Sequence, residues 1–173
     1  MTADPASVTD YEARVKRCKP EQGLAATNPN DLRRFLYEWF THFEHAAPTD
    51  FYLHHIDDEN LDVRFPGSDP ITSHAEFAVW YENLLSQTLW NFHDVSAIQI
   101  KQTPTGQYLV TFLVNWYGEV RADSDQLAGW QSRSDSCLYH HFIRQTWTIR
   151  VDDRPVIQAL VATGGDTPSP IAE

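Results

Sequence analysis

The chain has 173 residues and a formal charge of −11, from 13 Lys plus Arg against 24 Asp plus Glu. One domain of this length buries roughly two thirds of its unfolded surface, so its stability requires neither disulfides nor a structural metal. The acidic balance repels phosphate backbones and anionic lipid, which argues against partnership with nucleic acid or a membrane surface.

Residues 1–29 form a polar extension in which Val8, Tyr11 and Val15 fall at helical spacing over 7–19. Its start, Met1-Thr-Ala-Asp-Pro, has neither the basic nor the apolar region of a signal peptide. No apolar run approaches the ~18 residues of a membrane span. Cys18 and Cys137 are the two cysteines, which fits a reducing, cytoplasmic setting. Asn30 or Asp31 then caps a helix whose face is Leu32, Phe35, Leu36, Trp39, Phe40, Phe43 and Ala47, ended by Pro48. A short helix over 50–56, a strand over 61–65 and the turn Pro66-Gly67-Ser68-Asp69-Pro70 follow. Ser73 and Glu76 form a capping box for a helix to Gln87, buried along Phe77, Trp80, Tyr81, Leu84 and Leu85.

From Leu89 the hydrophobic period becomes two, giving strands at 89–102, 107–121, 138–152 and 156–163. A polar loop occupies 122–136, and residues 164–173 read as a mobile tail. Helices followed by a run of antiparallel strands is an α+β pattern, with one domain over 30–163. The strands carry more large apolar residues than a flat, one-sided sheet requires, so the sheet is expected to curve around the helices.

Three segments carry a family resemblance: Ile56-Asp-Asp-Glu-Asn-Leu-Asp-Val-Arg-Phe-Pro-Gly, the helix containing Phe77 to Leu85, and Phe92-His-Asp-Val-Ser-Ala-Ile-Gln-Ile. In order and spacing they resemble the nuclear transport factor 2-like superfamily, in the branch with SnoaL-like cyclases, scytalone dehydratase and ketosteroid isomerases. The resemblance implies a cone-shaped curved antiparallel sheet wrapped on N-terminal helices, a ligand-binding cavity, and a homodimer formed through sheet faces. The isomerase base would fall at Arg64, a cation that cannot accept a proton. The other isomerase positions fall near Trp39 and Trp147, which argues against steroid-isomerase chemistry. The dehydratase and dehydrochlorinase histidine matches His93, its acidic partner falls at Glu44 or His45, and a further polar position falls at about Asn115.

A His–carboxylate pair suits proton abstraction beside a leaving group, because the carboxylate fixes the imidazole tautomer and stabilises the imidazolium. Such an elimination, isomerisation or cyclisation calls for no cofactor. The alternative is that His93 merely ties a strand to a helix. Strand parity leaves two faces open: Asn115 and Tyr117 on one, Phe112, Val114 and Trp116 on the other. Tyr37, Trp39, Tyr52, Trp80 and Tyr81 line a pocket or pack as core, and His141 faces the cavity in one register. The doublets His54-His55 and His140-His141 are poorly spaced for chelation, so no metal is expected. The acidic group Asp57, Asp58, Glu59 and Asp62 reads as a solvated rim. The leading expectation is a SnoaL-like protein binding a small, mainly apolar or aromatic molecule, as a cofactor-free lyase, isomerase or cyclase. The alternatives are a non-catalytic binding or dimerisation module and a small subunit of a ring-hydroxylating-type complex.

Overall fold

The computed structural model describes residues 28–66, 68–121, 136–164 and 169–170, with side chains except at 136–139 and 169–170. The helix expected over 7–19, Cys18, the loop 122–135, Gly67 and the tail apart from Gly164, Ser169 and Pro170 lie outside the described residues. Three helices and six strands follow in chain order: α1 (Pro29–Glu44), α2 (Thr49–Leu53), β1 (Asp62–Arg64), α3 (His74–Gln87), β2 (Thr88–Gln102), β3 (Tyr108–Arg121), β4 (Ser136–Val151), β5 (Pro155–Gly164) and β6 (Ser169–Pro170). No described helix is long and apolar enough to cross a membrane.

The sheet runs in the order β1-β5-β4-β3-β2. β1 lies parallel to β5, while the long strands pair antiparallel. β6 pairs with β4 at Tyr139 and His140, taking over the lane that β5 leaves after Ile143. The architecture is the expected α+β one, a curved sheet wrapped on helices, with one parallel edge strand.

Local chemistry explains where the elements begin and end. α1 starts earlier than the sequence pattern suggests, because Asn28 caps it: its Oδ1 accepts from Asn30 N–H at 2.9 Å, and Pro29 takes the first helical position. The helix closes at Glu44, before Pro48, since Ala46 adopts a left-handed φ of 50°. α2 is shorter than expected and stops at Leu53. Ser73 does cap α3, accepting from Glu76 N–H at 3.3 Å. Glu76 reaches one residue beyond a capping box, accepting from Thr72 N–H at 2.7 Å.

α1 lays Leu32, Phe35, Leu36, Trp39 and Phe40 on the concave face of the sheet. Trp147 of β4 is the hub. Its ring centroid lies 5.4 Å from Trp39, 5.2 Å from Phe112, 6.0 Å from Phe40 and 6.4 Å from Phe35, with most pairs edge to face. Its indole N–H is satisfied inside this apolar packing by Gln145 Oε1 at 2.9 Å. Val110, Phe112, Trp147 and Ile149 are fully buried, whereas Trp116, His141 and Ile143 farther along the same face are half-buried. The concave face is therefore sealed around Trp147 and looser at Trp116, His141 and Ile143, with Val120 buried again beyond them.

The acidic rim divides. Asp58 and Glu59 are exposed, but Asp57 is buried and ties the α2–β1 connection to the sheet. Its Oδ1 accepts from the amides of Glu59 and Asn60 at 3.0 Å each, and its Oδ2 meets Gln158 and Arg150 at 3.1 Å. Burial raises the Asp57 pKa, yet these hydrogen bonds and the Arg150 charge outweigh it and leave the carboxyl below its ordinary range. Its folded value thus lies below its unfolded one, so the stabilisation is present at neutral pH and fades as pH falls through the folded value. Asp57→Asn should cost about 1–3 kcal/mol at pH 7. In urea unfolding, the gap to the parent protein should narrow as pH falls below the ordinary aspartate range and through the lowered folded value.

Candidate functional site

The site lies where the C-terminus of α1 meets β2, an edge strand of the sheet. An edge strand presents backbone N–H groups with no neighbouring strand to receive them. The Glu44 carboxylate takes one of these: His93 N–H donates to Glu44 Oε1 at 2.7 Å. The same oxygen lies 3.5 Å from His93 Nδ1, a distance for charge pairing rather than a tight hydrogen bond. The His93 side chain is 7% exposed and that of Glu44 20%. Phe40 and Phe43 hold the imidazole from the helix side, with centroids at 4.8 and 5.5 Å.

Electrostatics follow from this burial. Desolvation drives the His93 pKa below its ordinary value, and the neighbouring Glu44 carboxylate only partly opposes it. Burial raises the Glu44 pKa, but hydrogen bonds and charge from His93 prevail and keep it low. The pair is therefore a neutral imidazole beside a carboxylate at pH 7. That is the resting state of a general base with its orienting partner.

Register settles which strand faces look inward. Ala97, with a φ of 52°, sits in a bulge between Ser96 and Gln99. Before it, β2 turns Asn91, His93 and Val95 inward. On β3 the even-numbered face looks in, so Trp116 lies on the concave side while Asn115 and Tyr117 share the opposite face. The pairings His93 with Trp116 and Trp116 with His141 set these three side chains in a row across β2, β3 and β4. Trp116 folds back over Gly118: a Cβ there would meet the indole, with Cη2 at 2.8 Å. Glycine at 118 is what lets that ring lie along the strand.

The remaining expected residues occupy other places. His45 forms the C-cap of α1, is exposed, and places Nδ1 2.7 Å from the Thr41 carbonyl. Trp39 and Tyr52 belong to the packed aromatic core, 4.7 Å apart edge to face. Trp80 is half-buried and stacks on Phe65 at 4.5 Å. Tyr37 is exposed on the outer side of α1, beside a surface hollow that it lines with Arg33, Arg34 and His42. Asn115 approaches His140, with Oδ1 3.4 Å from Nε2. His55 Nδ1 lies 3.0 Å from the Pro155 carbonyl, and no metal-type cluster of three His, Cys, Asp or Glu occurs among the described residues. Sequence reasoning missed Asn91 and Gly118. The signal for the second was a glycine inside a strand pattern. For the first there was none.

This arrangement of three helices against a curved mixed sheet recurs in solved structures. A candidate aromatic ring hydroxylase from Novosphingobium aromaticivorans superposes with a TM-score of 0.66 at 10% identity, covering 81% of this chain and 90% of that one. A candidate dehydratase of the NTF2-like family from Streptomyces avermitilis gives 0.65 at 12% identity, covering 82% and 99%. The chain has the nuclear transport factor 2-like fold. The hexachlorocyclohexane dehydrochlorinase LinA, type 2, shares that fold with a TM-score of 0.59 at 12% identity, over 82% of this chain and 86% of its own. No protein-family profile and no curated protein matches the chain in sequence. At such identities the nuclear transport factor 2-like likeness concerns the fold alone.

Glu44→Gln tests the pairing directly. The amide oxygen keeps the hydrogen bond from His93 N–H, so the fold should persist. Loss of the negative charge should move the His93 pKa lower still, read by NMR titration of the ring carbons; an unchanged value would separate Glu44 from the imidazole.

Proposed function

We propose that the protein is a ligand-binding acid–base catalyst of the lyase or isomerase kind, with His93 as the base and Glu44 as the group that orients it. The observation that carries this reading is the buried His93 ring against the Glu44 carboxylate at the accessible end of the concave face. A structural tie alone would be served by the backbone N–H; the ring at 3.5 Å adds a chargeable partner. In the proposed step, the free lone pair of neutral His93 takes a proton from a carbon activated by a carbonyl or a leaving group. The C–H electrons form the new double bond, the leaving group departs with its electron pair or a carbonyl becomes an enolate, and Glu44 steadies the imidazolium. LinA, which shares the fold, is named for a reaction of the elimination kind. Trp116, Trp80 and Phe65 supply the flat apolar surroundings for a small aromatic or alicyclic molecule.

The second reading, a binding or dimerisation module, draws on the opposite face of the sheet. Phe92 and Phe142, 50% and 52% exposed, flank a continuous row with Tyr117 and His140, whose rings stack at 4.3 Å. Asp94 and Arg144 sit at opposite corners around Leu113 and Asn115 on β3. A two-fold rotation about that centre carries Asp94 of one copy toward Arg144 of the other, so this face suits a second copy of the chain. Catalysis and dimerisation use different faces and are compatible.

Two measurements test these proposals. Against β-hydroxy carbonyl compounds and halogenated cyclohexanes, formation of the new double bond should be followed by absorbance, and His93→Ala should lower kcat by about a hundredfold or more. Because burial holds the His93 pKa below about 6.5, kcat/KM should be flat through neutral pH and fall only on the acid side. A loss under threefold in the variant would leave the binding module. Separately, Phe142→Asp should convert a dimer to a monomer in sedimentation velocity; a parent protein that is already monomeric would remove the dimer.

A further inference from the structure

Polar side chains on a concave, largely apolar face need partners, and β2 carries two without them. Thr88 Oγ1 and Asn91 Oδ1 are buried and make no hydrogen bond to any described residue, while buried His93 Nδ1 has the Glu44 carboxylate at 3.5 Å. All three belong to the inward face of one strand: Thr88 pairs with Val120, Asn91 with Gly118 and His93 with Trp116. Asn91 and His93, two apart, stand ~6.7 Å from each other along the strand, and a register shift between Thr88 and Trp90 brings Thr88 onto the same face. The line of polar atoms thus leads away from the imidazole toward the start of β2.

The orphaned state of Asn91 has a cause in the sheet. The position directly across from it is Gly118, which has no side chain to answer an amide. The space that a side chain at 118 would use is taken by the Trp116 indole, whose Cζ2, Cη2 and Cε2 all crowd that point. Asn91 Oδ1 is therefore a buried acceptor bordered by an aromatic ring, next to a base. A buried acceptor left unmet costs free energy unless a donor arrives.

We propose that Asn91 is a ligand-positioning residue, forming with Thr88 and the Trp116 ring a subsite for a hydroxyl or amine donor carried by a flat, unsaturated ligand. The ligand stacks on the indole, its O–H or N–H donates to Asn91 Oδ1, and its reacting carbon lies one strand step away at His93. This rests on the acid–base reading of His93 and narrows it. The ligand class becomes unsaturated rings bearing a hydrogen-bond donor, and wholly apolar rings are disfavoured.

The test is a binding experiment that needs no turnover. Phenol and fluorobenzene, similar in size and differing in the donor, are titrated into protein labelled with nitrogen-15 and followed by NMR. Phenol should perturb the Asn91 side-chain amide and bind about tenfold more tightly than fluorobenzene. Asn91→Leu should erase that preference while fluorobenzene affinity stays within about threefold. Asn91→Asp, which keeps an acceptor, should retain it. Equal affinity for the two probes in the parent protein, an undiminished preference in Asn91→Leu, or shifts that bypass Asn91 and Trp116 would each overturn the subsite. If His93→Ala keeps full turnover while the phenol preference stands, the acid–base reading fails and the subsite survives. Loss of the preference with His93-dependent turnover intact is the reverse.

Discussion

A single carboxylate joins the two halves of this fold at the point where each is least satisfied. Glu44 ends α1, the pole at which a helix macrodipole is negative and a carboxylate is disfavoured. His93 lies on β2, at an edge of the sheet, where a backbone N–H has no strand to receive it. The hydrogen bond of 2.7 Å between them resolves the second problem and offsets the first. It also pins the helix against the sheet at this register. With the register set, the ring of His93 falls between Phe40 and Phe43 and beside the same carboxylate oxygen. The chemistry proposed for the site would thus be a by-product of how the edge is closed.

The rest of the concave face divides the work of stability and function along the strands. Around Trp147, rings from α1, β3 and β4 meet edge to face, and the lone polar group of the hub is matched by Gln145. Packing of this density leaves no room for a ligand, and replacing such a ring by Ala costs about 3–5 kcal/mol. Toward His93 the same face carries Trp116, His141 and Ile143, which remain half-buried. The gradient follows from residue size: bulky side chains converge at one end, while at the other Gly118 withdraws a side chain and lets Trp116 lie flat. A rigid end and an accessible end on one sheet is how a small domain holds a site in place without spending its core on it.

Much of the frame was legible from periodicity. The α1 face Leu32, Phe35, Leu36, Trp39 and Phe40 is buried as its spacing implies, and the four long strands appear within two residues of their expected limits. The boundaries that moved did so for local reasons, an Asn28 cap and a left-handed Ala46, neither of which alters a hydrophobic pattern. The strand faces were not legible, because the bulge at Ala97 reverses parity within β2 and an alanine gives no warning of a positive φ. Asp57 looked like part of a solvated rim, and its burial depends on Arg150 and Gln158, far along the chain. Of the candidate site, His93 and Glu44 came from a family resemblance. Asn91 could not be found at all, since its interest lies in what stands opposite it.

The choice between a catalyst and a scaffold turns on the cost of the polar line along β2. Proteins of this size are stable by about 5–15 kcal/mol in total, and each buried polar atom without a partner costs about 1–3 kcal/mol. Thr88 and Asn91 therefore carry a combined penalty of about 2–6 kcal/mol, a sizeable part of that margin. A face evolved only to pack would have placed valine or leucine at these positions, as it does at Val95, Val110 and Val114 on the same sheet. Apolar side chains there would cost nothing and would extend the Trp147 core. Two unmet polar groups kept on one strand, beside an imidazole that burial holds neutral, are better accounted for by a molecule that satisfies them than by the fold that bears them.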